Sequence, residues 1–437
     1  MEQTKKHFTR KAYTATRSFL RYWKGPKHIA PTPKGNGLRV AFIHNDKKIA
    51  TGAHHINELM SNALAERGAR VRNFFPRRQL TDTPVHLKGI ANILFFHSLL
   101  EHKDEILKNH IIQGTTYTPL PFLSFDVPVV CHFGSTIRGY LDAVPATHRL
   151  PGEEQGVFKE LARLDIIPGL DLKTFRPMED VADIEAVAAT RAAACIATSE
   201  KVKNELMEMQ VPEERITVIH NAIEDYWFEP PRPTAIQPPH LVFLGRLGGD
   251  VFTLKLKGFS RLVNFYRAFP GVPKTTVCMT TNRKLKEWLR VAFLEHYMYT
   301  NLRKDLVPGA LAPLYGSILF LPSRYEGFSL SLIEGMSQGL VPIAYSVGVV
   351  PEVVKNGENG YIVSSHEEAC ARARELLADE PKRLAMAEAA KATAEQFKSS
   401  YIASQLISLY QNLRRDRRLG TNGERATDPV RFPPSPH

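Results

Sequence analysis

An α/β chain of two doubly wound domains is what this sequence predicts, on three observations. Short apolar runs of strand length alternate with amphipathic helical segments, the arrangement that produces a parallel sheet covered on both faces. One proline-rich segment, residues 229–239 (EPPRPTAIQPP), interrupts the alternation, which then starts again. No apolar run approaches the roughly 18 residues of a membrane-spanning helix; the stretches 91–100 and 318–321 are short or interrupted.

Residues 1–37 form a basic arm. Its first 28 residues carry Lys5, Lys6, Arg10, Lys11, Arg17, Arg21, Lys24 and Lys27 against the single acid Glu2. Phe8, Ala12, Ala15, Phe19, Tyr22 and Trp23 recur at helical spacing, so the arm reads either as an amphipathic helix on an anionic membrane surface or as a solvated terminus. A transit peptide is a third reading, without a clear processing signal. Residues 38–228 form the first domain. It opens with a strand at 38–44, followed by a helix at 54–67 whose Ile56, Leu59, Met60, Ala63 and Leu64 share a face and which Gly68 stops. Further strands are expected at 69–75, 91–97, 128–132, 195–198 and 216–220.

The proline-rich linker of 229–239 suits neither regular element. The second domain, 240–397, has expected strands at 240–247, 275–279, 318–322, 340–345 and 360–363. A helix over 398–413 is expected to pack back on the first domain, and the Arg- and Pro-rich tail of 414–437 to be disordered. Ligands of such sheets gather beyond the carboxyl ends of the strands, so a cleft between the domains is the expected site.

Composition narrows the function. The 437 residues are 43% apolar and 23% charged, ordinary for a soluble protein, with a formal charge of +12. Cys131, Cys195, Cys278 and Cys370 lie far apart with no CxxC spacing, which indicates neither zinc nor a disulfide framework and fits a cytoplasmic setting. No helix-turn-helix, zinc-finger or RNP-like motif accompanies the positive charge, which argues against nucleic acid. There is no Asp-x-Asp pair, and His54, His55 and Glu58 without a fourth ligand read as a solvated helix face.

The stretch 326–345, EGFSLSLIEGMSQGLVPIAY, holds two glutamates eight positions apart. Ser331 through Glu334 spell a capping box, with Ser331 as N-cap, which by itself accounts for Glu334. It leaves Glu326 unexplained, a carboxylate between a buried strand and the next helix. Arg246 follows the first strand of the second domain and Lys257 comes soon after. An Arg fork and a Lys point charge together suit a diphosphate, and the helix starting near Ser329 would add its N-terminus to the same cleft. Gly52, just before the first helix, allows either a tight turn or close approach of a phosphate.

The block from Pro322 to Met336 closely resembles the E-x7-E signature of family-4 retaining glycosyltransferases, which have the GT-B fold of two Rossmann-like domains facing a central cleft. Leu244-Gly-Arg-Leu247 with Lys257-Gly258 resembles the family's phosphate-binding pair. Thr198-Ser-Glu200, Val218-Ile-His-Asn-Ala222 and Gly348 to Val354 with Asn356-Gly357 and Asn359-Gly360 extend the likeness over about residues 38–410. The resemblance implies a metal-independent transfer from a nucleoside diphosphate sugar, with no cofactor, to an acceptor such as a lipid-linked or cell-envelope glycan. It implies that Glu334 holds the ribose and Glu326 the transferred sugar, while Arg246 and Lys257 neutralise the leaving diphosphate. Phe328, Ser329 and Leu330 would present backbone N–H groups, Gly52 would admit acceptor or phosphate, and His132 would face the donor sugar. The family commonly has Gly where this chain has Thr51, Ser329, Ala222 and Val349, which bears on the sugar pocket more than on the reaction. Competing readings are a nucleotide-sugar-binding protein that has lost transfer, and an epimerase or phosphorylase on the same scaffold. The second of these lacks an identifiable pyridoxal lysine.

Overall fold

The computed structural model describes residues 37–45, 52–76, 91, 93–229 and 237–420. The basic arm up to residue 36, most of the linker and the tail beyond residue 420 lie outside the described residues. Two six-stranded parallel sheets form the frame. The first comprises β1 (Arg39–Ile43), β2 (Arg70–Phe74), β3 (Ile111–Thr115), β4 (Val129–Phe133), β5 (Ala194–Ala197) and β6 (Ile216–Val218), in the order β2-β1-β3-β4-β5-β6. The second comprises β7 (Leu241–Arg246), β8 (Lys274–Met279), β9 (His296–Thr300), β10 (Ile318–Leu321), β11 (Val341–Tyr345) and β12 (Tyr361–Val363), in the order β12-β11-β10-β7-β8-β9. The predicted doubly wound α/β class, with the GT-B arrangement, is what the chain adopts.

The helices used below are α1 (Gly52–Glu66), α2 (Ile137–Ala143), α3 (Gly152–Arg163), α4 (Arg176–Arg191), α5 (Glu200–Glu208), α6 (Val251–Leu256), α7 (Phe259–Arg267), α8 (Leu330–Ser337) and α9 (Ser399–Gly420). Strand β1 shows why the strands read as unbroken apolar runs. Val40 and Phe42 pack with Ile56, Met60 and Leu64 of α1 and Ile402, Leu406 and Tyr410 of α9, while Ala41 and Ile43 pack with Phe95, Phe96, Leu99 and Ile106 on the other face. Helix α3 crosses to the second domain, burying Val157, Phe158 and Leu161 in one core with Leu254, Phe259 and Val263. Helix α9 returns to the first domain against α1.

Four expectations need correction. The strand expected at 91–97 is helical, since Phe95–His102 forms a 3-10 helix that buries Phe95, Phe96 and Leu99; aromatic density there mimics a strand, but the buried spacing is helical. The third strand is instead β3, IIQGT, whose Gln113 and Thr115 are buried polar residues that break the apolar signal. Strand β9, HYMYT, went unread because it is an edge strand with alternating exposure. Finally, α9 continues to Gly420, so residues 414–420 are helical rather than tail.

Candidate active site

The second sheet reverses its strand order between β7 and β10, so their carboxyl ends open a crevice. Arg246 ends β7, exposed and without an ion pair among the described residues. Asp250 caps α6 by accepting from the Thr253 N–H at 2.8 Å, and Lys257 closes that helix. Gly258 follows at φ 63°, where a Cβ would lie 1.9 Å from the Pro322 carbonyl oxygen. Only glycine permits this approach, and it draws Lys257 against the loop after β10. Lys257 Nζ then reaches Glu326 Oε1 at 2.7 Å, and Ser323 Oγ donates to the same oxygen at 2.7 Å. The two residues assigned by resemblance to diphosphate and sugar are thus an ion pair, half-buried at the mouth of the crevice.

Helix α8 starts after Ser329, which sits in the left-handed region at φ 88° and makes no side-chain cap. The capping box expected from Ser331 and Glu334 is therefore absent; Ser331 lies within the helix. Left-handed backbone disfavours a Cβ, which explains why glycine suits this position. Gly348 supports the loop from behind at φ 51°, where a Cβ would lie 2.8 Å from Glu326 O and 2.9 Å from Phe328 O. The Phe328 ring is buried in the core, and its carbonyl accepts from Val349 N at 3.1 Å. Leu330 touches the cores of both domains.

Glu334, buried on α8, lies 3.3 Å from Lys304 Nζ, which also lies 2.7 Å from Glu224 Oε1. Burial raises the Glu334 carboxyl pKa above its ordinary value, with Lys304 opposing. For Lys304 burial pulls downward, and the two carboxylates outweigh it and raise its pKa. Neither Lys304 nor Glu224 was legible in the sequence. Lys304 follows the unread strand β9, and Glu224 sits beside the linker; no motif joins them.

Across the crevice the first sheet contributes His132, buried on β4. Its Nδ1 and the Oδ1 of Asn221, which follows β6 in the same domain, are buried without a hydrogen-bond partner among the described residues. Burial lowers the His132 pKa to about 4, so the ring is neutral at neutral pH. At the carboxyl ends of β1 and β3, Thr115 Oγ1 donates to Asn45 Oδ1 at 2.7 Å, and His44 Nε2 lies 2.8 Å from Asn73 Oδ1. Gly52 opens α1 just beyond, after residues 46–51, which lie outside the described residues.

The loop carrying Glu326 is gripped by the first domain. Tyr325 OH donates to Glu205 Oε2 of α5 at 2.7 Å and accepts from Thr136 N at 3.0 Å. Ser199 Oγ donates to Gly327 O at 2.6 Å, and a Cβ on Gly327 would fall 1.9 Å from Gly134 O. His220 Nε2 lies 2.9 Å from Glu352 Oε2, and Glu154 of α3 pairs with Arg324. The two domains are therefore closed around this loop.

Comparison with known proteins agrees with this geometry. Residues 51–225 match the sequence model described as Glycosyltransferase Family 4, and residues 308–393 that described as Glycosyl transferases group 1, together more than half of the chain. A D-inositol 3-phosphate glycosyltransferase of Corynebacterium aurimucosum is 35% identical over 107 residues, 24% of this chain and 25% of that protein. An N-acetyl-alpha-D-glucosaminyl L-malate synthase of Bacillus anthracis is 36% identical over 121 residues, 27% of this chain and 31% of that protein. The matched region thus spans about a quarter to a third of the length of these relatives. In fold, a sucrose-phosphate synthase from Thermosynechococcus elongatus superposes with a TM-score of 0.64 at 15% identity, covering 86% of this chain and 99% of that one. Anabaena HepE, crystallised with UDP-glucose, superposes with a TM-score of 0.56 at 16% identity, covering 86% and 100%. The family matches, the two doubly wound sheets and the E-x7-E loop at the switch point agree: the chain belongs to the family-4 glycosyltransferases, with the GT-B fold.

Proposed function

We propose that the protein is a retaining glycosyltransferase that moves a sugar from a nucleoside diphosphate sugar to an acceptor hydroxyl, without a metal ion or cofactor. The carrying observation is that one crevice, between β7 and β10, collects Arg246, Lys257, Glu326 and the start of α8. In this reading Glu334 accepts from ribose hydroxyls, and Lys304 beside it opposes the burial that raises its pKa. The diphosphate lies against Arg246, Lys257 and the N-terminus of α8, and draws Lys257 away from Glu326, which is then available to sugar hydroxyls. The N–H groups of Phe328, Ser329 and Leu330 face the sugar or phosphate oxygens, and Gly52 lets acceptor or phosphate approach.

The acceptor oxygen attacks the anomeric carbon on the face from which the diphosphate leaves. The bond from that carbon to the phosphate oxygen breaks, and the departing phosphate takes the acceptor proton. Arg246, Lys257 and the helix N–H groups stabilise the charge that develops there, so catalysis rests on preorganised electrostatics and positioning. Neutral His132, with an unpartnered ring nitrogen, can hydrogen-bond a sugar hydroxyl. Closure of the domains excludes water and limits hydrolysis. The acceptor class is a lipid-linked or cell-envelope glycan, and the basic arm would hold the enzyme peripherally on an anionic membrane from the cytoplasmic side.

The test is calorimetric titration with UDP, GDP, ADP and their common sugar conjugates, in EDTA, on the wild type and Glu334→Ala. Selective binding that the substitution abolishes supports the donor site and names the nucleotide. A folded wild type that binds none of them refutes this reading.

A further inference from the structure

A second cavity, of about 540 Å3, lies at the other end of the first sheet, lined by Arg39, Arg72, Glu105, Lys108, His110 and Arg417 among others. Arg39 begins β1 and His110 precedes β3, so the cavity sits at the amino ends of the strands, away from the crevice at their carboxyl ends. Its cations come from distant parts of the chain: β1, the edge strand β2, the turn before β3, and the end of α9. Nothing in the donor or acceptor chemistry requires them to meet.

The turn that bears Lys108 is built rather than loose. Asn109 Nδ2 donates to Glu105 O at 3.0 Å and Ile106 O at 2.9 Å, and Arg39 Nε donates to Lys108 O at 3.0 Å. Arg39 N also donates to His110 Nδ1 at 3.1 Å. Charge is out of balance. Arg72 pairs with Glu105 at 2.8 Å, whereas Arg39, Lys108 and Arg417 have no carboxylate partner among the described residues. Like charges gathered in a concavity repel one another unless an anion joins them, and clustered Arg and Lys donors match the several oxygens of a phosphate. Arg414, one turn before Arg417, donates to Gly37 O at 3.3 Å and so holds the end of α9 against the residues that lead into β1.

We propose that this cavity is a binding site for a phosphate-bearing ligand, separate from the donor crevice. The ligand presents more than one phosphate oxygen at once, as a polyphosphate chain or a phosphorylated headgroup does. Arg39 and Arg417 supply guanidinium forks and Lys108 a point charge, while Arg72 shares itself between Glu105 and the ligand.

The experiment is calorimetric titration of the full chain with sodium tripolyphosphate, in an Arg246→Ala/Lys257→Ala background that silences the crevice. Adding Arg39→Gln, Lys108→Gln and Arg417→Gln should weaken binding about tenfold or more, since the ligand loses three charged donors at solvent-screened positions. Lys108→Glu alone, an exposed side chain whose replacement leaves the fold intact, should shift affinity in the same direction. Absence of binding in the background protein, or an affinity that the three substitutions leave unchanged, overturns the proposal. Vesicles of phosphatidylcholine with and without phosphatidic acid identify the source. Binding to the acidic vesicles that tripolyphosphate displaces and the triple variant loses assigns a lipid headgroup; tripolyphosphate binding alone assigns a soluble ligand. The arm is identical in all variants, so any difference reports the folded cavity.

Discussion

Replacing Gly327 by alanine tests whether closure of the two domains on the Glu326 loop is required for transfer. A Cβ on residue 327 would lie 1.9 Å from the Gly134 carbonyl oxygen and 2.6 Å from the Ser135 Cα, both backbone atoms of the first domain. No rotamer change relieves such a contact, so the loop must withdraw from the first domain. Withdrawal breaks the Ser199 bond to Gly327 O and pulls Tyr325 away from Glu205, a hydrogen bond to a charged acceptor. A neutral hydrogen bond contributes about 0.5–1.5 kcal/mol and one to a charged group about 1.5–3. Their joint loss is therefore about 2–4.5 kcal/mol, a fall of roughly 30- to 2,000-fold in turnover if closure precedes chemistry. Nucleotide affinity should change much less, because Lys304, Glu334 and Arg246 are untouched. The assay compares kcat with calorimetric nucleotide affinity, and small-angle scattering reports domain separation. Gly139→Ala supplies an independent wedge, since its Cβ would meet the Tyr325 ring at 2.5 Å. Wild-type turnover in Gly327→Ala, with the closed scattering profile retained, would refute the reasoning.

Three further outcomes follow from the site. Lys304→Met leaves buried Glu334 and half-buried Glu224 without their shared cation; a charge-assisted bond contributes about 1.5–3 kcal/mol, so nucleotide binding should weaken by roughly 10- to 150-fold in titration calorimetry, and unaltered affinity would count against Lys304. Arg246→Ala, at an exposed position, should lower kcat/KM by about 10- to 150-fold through loss of a charge-assisted bond to the diphosphate without moving the thermal midpoint; a shifted midpoint with normal kinetics would make the residue structural. Burial, followed by the neighbouring Glu205 charge, raises Glu185 on α4 from 4.5 to about 8, although Ile137 N donates to it at 2.7 Å. Because the folded state holds that proton more tightly, its stability contribution is complete below pH about 4.5 and is lost as pH rises to about 8. Urea unfolding of the wild type should therefore weaken across that interval relative to Glu185→Gln, and parallel curves would show that Glu185 does not titrate there.

Much of the site was legible because its physics is local. Arg246 ends β7, Glu326 and Ser329 lie on the loop after β10, and Lys257 is one short helix beyond β7, so strand periodicity delivers them to one crevice once the strand order is doubly wound. Glu334 was legible both as a capping-box residue and, through the resemblance, as a ribose ligand; the capping reading fails because the left-handed Ser329 starts the helix two positions before the Ser331 that the motif favours. The partners of Glu334 were hidden, because an ion pair between residues 304 and 334 carries no sequence pattern.

By itself the sequence determined the alternation of elements, the fold class and the family, since apolar period, proline placement and the E-x7-E block are properties of neighbouring residues. Tertiary structure alone decided that α3 packs on the second domain, that Tyr325 is held by Glu205, and that Lys304 lies between two carboxylates. It also decided that cations far apart in the chain, Arg39, Lys108 and Arg417, without a carboxylate partner among the described residues, line one cavity. These contacts join residues tens to hundreds of positions apart, and the energy that selects them, burial of apolar faces and neutralisation of buried charge, depends on which surfaces meet rather than on which residues adjoin.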